Sequence, residues 1–175
     1  MIKIRHEQTA DIAAREALLD KAMGKIKRRR KTSERLRSGR LPADGLAFVA
    51  TDGERIVGSA RLWNIGAESG EAALLLGPMA VASDCRNRGI GGALVRRAVD
   101  AARSLGHRAI MLVGDAPYYS RFGFTADKTA AFQLPGPVER DRLLALELVP
   151  GSLDSPWGMV AGIGQRVATP EKRAA

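Results

Sequence analysis

The stretch Leu74–Leu94, LLLGPMAVASDCRNRGIGGAL, decides how the rest of the chain is read. Leu74, Leu75 and Leu76, then Met79, Ala80 and Val81, form an apolar run short enough for one buried strand, interrupted by Gly77-Pro78. Proline has no N–H to give to a ladder, so strand pairing is expected to stop or bulge there. Past Val81, the polar Ser83-Asp84-Cys85 leads into Arg86-Asn87-Arg88-Gly89-Ile90-Gly91-Gly92. A helical pattern of Ala93, Leu94, Val95, Ala98, Val99 and Ala102 follows. The stretch predicts a strand, a tight glycine-rich turn and a helix N-terminus.

Such a junction suits an anion. The first N–H groups of a helix have no partner within it and lie at the positive end of its dipole, so a phosphate can accept their hydrogen bonds. Glycines at 89, 91 and 92 let backbone come close to a ligand, and Arg86 and Arg88 add charge. The dinucleotide fingerprint Gly-x-Gly-x-x-Gly is disfavoured, because Leu94 stands at its third glycine and a long polar turn separates Val81 from Gly89. The nucleoside-triphosphate loop fits worse, since no Gly-Lys-Ser or Gly-Lys-Thr follows.

Met79-Ala80-Val81, then Arg86-x-x-Gly89-x-Gly91, then Tyr119-Ser-Arg-Phe-Gly123-Phe124 resembles the GCN5-related N-acetyltransferase (GNAT) superfamily. The wider string LLLGPMAV…RGIGGALV…VGDAPYYSRFGF is similar to its YhbS-type branch of predicted bacterial acetyltransferases. The likeness runs from about Ile2 to Leu153 and is densest from Leu74 to Phe124. It implies an α/β (α+β) fold: a mixed, mostly antiparallel central sheet with a splayed parallel strand pair and flanking helices. It also implies acetyl-CoA as acyl donor and no metal. The pantetheine amides would lie against Met79, Ala80 and Val81, and the diphosphate on Arg86, Asn87, Arg88, Gly89, Ile90, Gly91 and Gly92.

By the same resemblance, Tyr119 matches the tyrosine that donates a proton to the departing thiolate, with Tyr118 as its rival, and a backbone N–H at Met79 or Ala80 matches the oxyanion donor. An ordinary tyrosine pKa near 10 keeps the hydroxyl protonated at neutral pH. No general base carries over: Leu75 stands where some relatives place a glutamate, while Glu68, Glu71 and Asp115 are only neighbours in sequence. Two functions of different class remain at this point. One is an N-acetyltransferase acting on a primary amine of a small molecule or a protein. The other is a non-catalytic acetyl-CoA or CoA-binding sensor or scaffold.

Working outward, Ile2 and Ile4 alternate with Lys3 and Arg5 as on a half-buried strand. Thr9 is expected to cap a helix reaching about Met23. Ala47–Thr51 and Arg55–Trp63 flank Asp52-Gly53, a hairpin signal. With the strand from Glu71 to Val81 they make a meander, and Trp63 is expected in the core. The helix behind the glycine turn should run from Ile90 to about Leu105, with Arg96, Arg97, Asp100 and Arg103 on its outer side and Gly106 as its stop. Arg108–Gly114 reads as a buried strand parallel to its predecessor. Pro117–Phe122 can start a short helix, Leu143–Val149 a late strand, and Trp157–Val167 an edge strand or hairpin. Pro135-Gly136-Pro137 is a loop that could border the acceptor site.

Residues 21–40, KAMGKIKRRRKTSERLRSGR, hold ten Lys or Arg and one acid, while the whole chain carries +9. The remainder is therefore balanced, and the net charge sits in this segment. It reads either as a solvated face or as a surface attracting an anionic partner, which the family resemblance places on the acceptor side. No aromatic residue interleaves these charges, so base stacking and nucleic acid are disfavoured. A chain of 175 residues suits one domain, taken here as 1–167 with a flexible tail over 168–175. Its single cysteine, Cys85, forms no internal disulfide and is expected to be a spectator thiol. His6 and His107 are isolated and lack metal-ligand spacing. With no apolar run near the roughly 20 residues of a membrane span and no signal-peptide pattern, the expectation is a cytoplasmic monomer or homodimer.

Overall fold

The computed structural model describes residues 1–154 and 156–168. In chain order it has β1 (Ile2–His6), α1 (Ile12–Met23), α2 (Lys25–Arg29), α3 (Thr32–Arg37), β2 (Ala47–Asp52), β3 (Arg55–Gly66), β4 (Ala72–Leu76) and β5 (Ala80–Val81). There follow α4 (Ile90–Ser104), β6 (Ala109–Val113), α5 (Ala116–Tyr119), β7 (Leu143–Glu147) and β8 (Ala161–Gly162). The sheet runs β1-β2-β3-β4-β6-β7, with β5 and β8 each paired to β3. Every pairing is antiparallel except β4 with β6. The expected mixed, mostly antiparallel sheet with one parallel pair is observed. The tail expected at 168–175 lies, from residue 169 on, outside the described residues.

Alternation along the central strands feeds two cores. Leu62, Leu74, Leu76, Ile110 and Leu112 face one, while Trp63, Ala73, Leu75, Ala109 and Met111 face the other. Strands buried on both faces read as continuous apolar runs, which is why 74–76 and 109–112 looked so uniform. On the first face lies α4, whose Ile90, Leu94, Val95, Ala98, Val99 and Ala102 make one buried stripe at helical spacing. It comes close because residue 58 has no side chain: a Cβ there would fall 2.9 Å from Leu94 Cδ1 and 3.1 Å from Ile90 Cγ2. The second face is closed by α3 and the later segments through Leu36, Phe132, Leu143 and Val160.

Several local expectations change. Thr9 does not cap α1; Thr9–Asp11 form a 3₁₀ turn behind Gln8, whose N–H donates to Asp11 Oδ2 at 2.7 Å. Arg5 fixes that carboxylate with bonds of 2.6 and 2.9 Å, so the charged acceptor outcompetes the threonine hydroxyl. The hairpin turn is Gly53-Glu54, because Asp52 still pairs with Arg55. The strand expected from Glu71 to Val81 is two strands, separated at Gly77-Pro78. Of Trp157–Val167 only Ala161–Gly162 becomes a strand, against Ile65 and Gly66.

The break at Gly77-Pro78 is tied down from both sides. Gly77 N–H donates to Arg61 O at 2.9 Å, and the buried Trp63 Nε1–H donates to Gly77 O at 2.5 Å. Trp63→Phe should keep most of the packing and leave that carbonyl unpaired. We expect a loss of about 1–2 kcal/mol, read as a lower urea midpoint at constant slope.

Candidate active site

The helix that packs on residue 58 delivers its N-terminus to the sheet edge. Its N-cap is Gly89 at φ 74°, and no side chain caps the first turn. Asn87 is also left-handed, at φ 62°; asparagine is among the few residues besides glycine that accept this region readily. Left-handed residues on either side of Arg88 curl the backbone into a concave set of N–H groups, a form suited to anions. The resulting cavity, about 550 Å³, is lined by Arg86, Asn87, Gly89, Ile90, Gly91 and Gly92. Six of the seven residues expected at this bend thus meet in one place.

Arg88 does not join them with its side chain, which turns to Asp52 Oδ2 at 3.4 Å and to the buried Cys85 Sγ at 3.6 Å. Two other arginines do. Arg96, expected on the outer side of α4, also lines this cavity, and a Cβ on Gly92 would lie 3.3 Å from its guanidinium. Helical side chains lean toward the N-terminus, so a residue four positions on reaches the first turn. Arg121 enters from beyond α5 and lies 4.5 Å over the Tyr118 ring.

The second opening arises because β4 and β6 pair only at Leu74–Ile110 and Leu75–Met111. Beyond that point β5 turns to Gly58 and Ser59, while β6 continues to Val113. A cleft of about 890 Å³ lies in the gap, with Leu76, Gly77, Pro78 and Met79 on one side and Leu112, Val113 and Gly114 on the other. Of the three residues expected to hold an extended ligand, Met79 lines this cleft and Val81 lines the glycine bend. Ala80 is buried and paired with Ser59.

Between the two openings stands α5, started by Asp115, whose carboxylate accepts Tyr118 N–H at 3.2 Å. It sends consecutive tyrosines to different cavities. Tyr119 stands in the cleft, packed so closely on residue 114 that a Cβ there would come within 2.5 Å of its Cε2. Tyr118 lines the glycine bend, with its hydroxyl 2.7 Å from where a Cβ on Gly91 would be. The rings meet edge-on at 4.9 Å. Burial, then the neighbouring Tyr118, pushes the Tyr119 phenol up to about 12, above the ordinary 10.

The far wall of the cleft comes from the basic segment and the loop before β7. Thr32 Oγ1 donates to Pro137 O at 2.5 Å and Arg35 donates to Pro135 O, clamping that loop against α3. The clamp brings Pro137, Glu139 and Arg142 into the cleft. The ten basic residues therefore divide by task. Arg28 joins Glu16 and Asp20 of α1, and Arg40 donates to Gly164 O, whereas Lys27, Arg30 and Lys31 line the cleft. Glu68 and Glu71 lie outside it, while Asp115 and Glu139 line it. Glu139 had no local signal, since only the clamp places it there.

His6 packs on Phe48 at 5.0 Å, and burial lowers the His107 pKa. No cluster of three or more His, Cys, Asp or Glu among the described residues could hold a metal ion. No helix among them is long and apolar enough to cross a membrane.

An uncapped helix N-terminus beside a splayed parallel pair, inside a mostly antiparallel sheet, is the architecture of the GNAT acetyltransferases, and the chain has that superfamily's fold. Residues 43–126 match the family described as Acetyltransferase (GNAT) domain. The fold is similar to that of the N-acetyltransferase YhbS from Escherichia coli in complex with CoA, at 25% identity and TM-score 0.77 over 93% of this chain and 89% of that one. A GNAT family acetyltransferase from Brucella melitensis in complex with acetyl-CoA gives 26% identity and TM-score 0.67, covering 93% and 96%. The uncharacterized N-acetyltransferase YjhQ of Escherichia coli (strain K12) is 36% identical over 50 residues, which are 29% of this chain and 28% of that relative.

Proposed function

We propose that the protein is an acetyl-CoA-dependent N-acetyltransferase that acts in the cytoplasm on a primary amine. One observation carries this reading: the open first turn of α4 and the cleft between β5 and β6 lie on either side of α5, which puts one tyrosine into each. A bound acetyl-CoA would supply a thioester whose carbonyl carbon is open to an amine. The residues present fit it. Main-chain N–H groups of 86–92, with Arg86, Arg96 and Arg121, would hold a diphosphate. The facing edges of β5 and β6 would bond the extended amides between them. Of the two expected donors Ala80 is committed to Ser59 in the ladder, which leaves the Met79 main-chain N–H to donate to the carbonyl oxygen as charge develops there.

Tyr119 donates a hydrogen bond to the leaving sulfur, and Asp115 or Glu139, directly or through water, takes the amine proton. The balance is one N–C bond formed and one C–S bond broken, with one proton passing from nitrogen to the carboxylate and CoA departing as a thiolate that accepts the Tyr119 hydrogen bond. The CoA-bound and acetyl-CoA-bound relatives support the donor assignment. Calorimetry with CoA and thiol release from acetyl-CoA across an amine panel test it together. Binding with amine-dependent release is the expected result. Binding that raises Tm, with no amine accelerating release, would instead make the protein a sensor or scaffold.

A further inference from the structure

Among the described residues, the cleft is lined by five cations, Lys27, Arg30, Lys31, Arg37 and Arg142, against two carboxylates, Asp115 and Glu139. Arg37 is paired with Glu34 at 2.9 Å, and the other four cations make no ion pair among the described residues. The Asp115 carboxylate is already engaged by Tyr118 N–H. Crowding of like charge is felt at Lys31, although solvent still reaches it. Its ammonium is held below its usual value, first by desolvation and then by Arg37, Arg142 and Lys27. Arg142 lines the same cleft as Lys31 and Tyr119.

Unpaired cations on a convex surface are screened by water, but in a concave wall they focus a positive potential that an anion relieves. We propose that the acceptor is a small primary amine that also carries an anionic group, a carboxylate or a phosphate, held by Lys31 and Arg142 while its nitrogen faces Tyr119. This rests on the acetyltransferase reading of the same cleft. The cleft, about 890 Å³ in all, is in the range of small-molecule sites and must also admit the thioester arm. The arginine fork of Arg142 suits two oxygens of one group, and the flexible Lys31 adds a point charge.

Matched amines test it: β-alanine against β-alaninamide, and O-phosphoethanolamine against ethanolamine. Each is read by thiol release from acetyl-CoA and by calorimetric binding to protein saturated with CoA. The anionic member of at least one pair should show kcat/KM and affinity about 10-fold higher, the size of one hydrogen bond to a charged group. Which pair shows the larger ratio identifies the anion as carboxylate or phosphate. Lys31→Gln and Arg142→Gln should each remove most of that preference, with CoA affinity within about two-fold of the parent on the same scale. Lys31 and Arg142 are both exposed, so each variant should keep the parent fold. Neutral amines handled as well as anionic ones, or a preference that survives both substitutions, overturns the proposal alone. So does an acidic peptide that outpaces every small anionic amine. Absence of thiol release with every amine sinks the acetyltransferase reading and this proposal with it.

Discussion

Tyr119→Phe is expected to lower kcat about 100-fold while KM for acetyl-CoA stays within about two-fold, because the lost hydroxyl acts only as sulfur becomes negative. The ring is already held in place by its packing on residue 114, so phenylalanine should occupy the same space. The phenol sits at about 12. A free thiol ionises near 8.5, so complete transfer from Tyr119 to sulfur would be uphill by roughly 5 kcal/mol at 1.36 per unit. Tyr119 is thus better suited to donate a strong hydrogen bond to the thiolate than to give up its proton, and a charge-assisted bond of about 2.7 kcal/mol corresponds to the 100-fold stated.

The sign of the pH dependence follows. A tyrosine whose pKa is raised stays in its neutral, donating form up to that pKa, so this group adds no alkaline decline in kcat below about pH 11. An ordinary tyrosine would begin to fail about two units lower. A steady-state pH profile of the parent, with Tyr119→Phe beside it, checks both points. An unchanged kcat in the variant would remove Tyr119 from its role at sulfur, whereas a parent profile falling with a midpoint near 10, absent from the variant, would return its phenol to the ordinary range.

What could be read from the sequence, and what could not, divides by the range of the forces. The break at Gly77-Pro78, the uncapped glycine turn and the apolar stripe of α4 are written in neighbours within a few positions, so each was visible. Trp63 was expected in the core and is buried there, but its bond to Gly77 O joins strands through a register that no local pattern encodes. The anion site was half legible. Glycine positions show the bend, whereas Arg96 and Arg121 arrive by side-chain lean and by the packing of α5. Arg88 carries the right charge in the right motif, and Asp52 across the hairpin draws it away.

The basic segment shows the limit most plainly. Its composition announced an excess charge but not its division, because Arg28 is committed by Glu16 and Asp20 on another helix. Glu139 and Arg142 were invisible as site residues, since two hydrogen bonds from α3 to the Pro135–Pro137 loop carry them about a hundred positions back to Lys31. Side chains brought together by loop docking leave no periodicity to read.

Gly92→Asp should separate the stability of the chain from its coenzyme binding, moving the two in opposite directions. Residue 92 is the third position of α4, where an acid is favoured by the dipole and by the unsatisfied N–H groups. Aspartate also removes a helical glycine, and a Cβ there meets nothing closer than the Arg96 guanidinium at 3.3 Å. Arg96 is four residues on, so the new carboxylate can pair with it. Stability should rise by about 0.5–1 kcal/mol, or roughly 1–4 °C in Tm for a chain of this length. The same carboxylate places the protein's own anion where the diphosphate would rest and cancels one of its arginines. Affinity for CoA should therefore fall about 100-fold by calorimetry, the equivalent of about 2.7 kcal/mol in lost and repelled charge. A variant that is more stable and still binds CoA as the parent does would show that the first turn of α4 is not the diphosphate seat. A loss of both stability and binding would trace to misfolding, which near-ultraviolet circular dichroism of Trp63 and its surroundings would reveal.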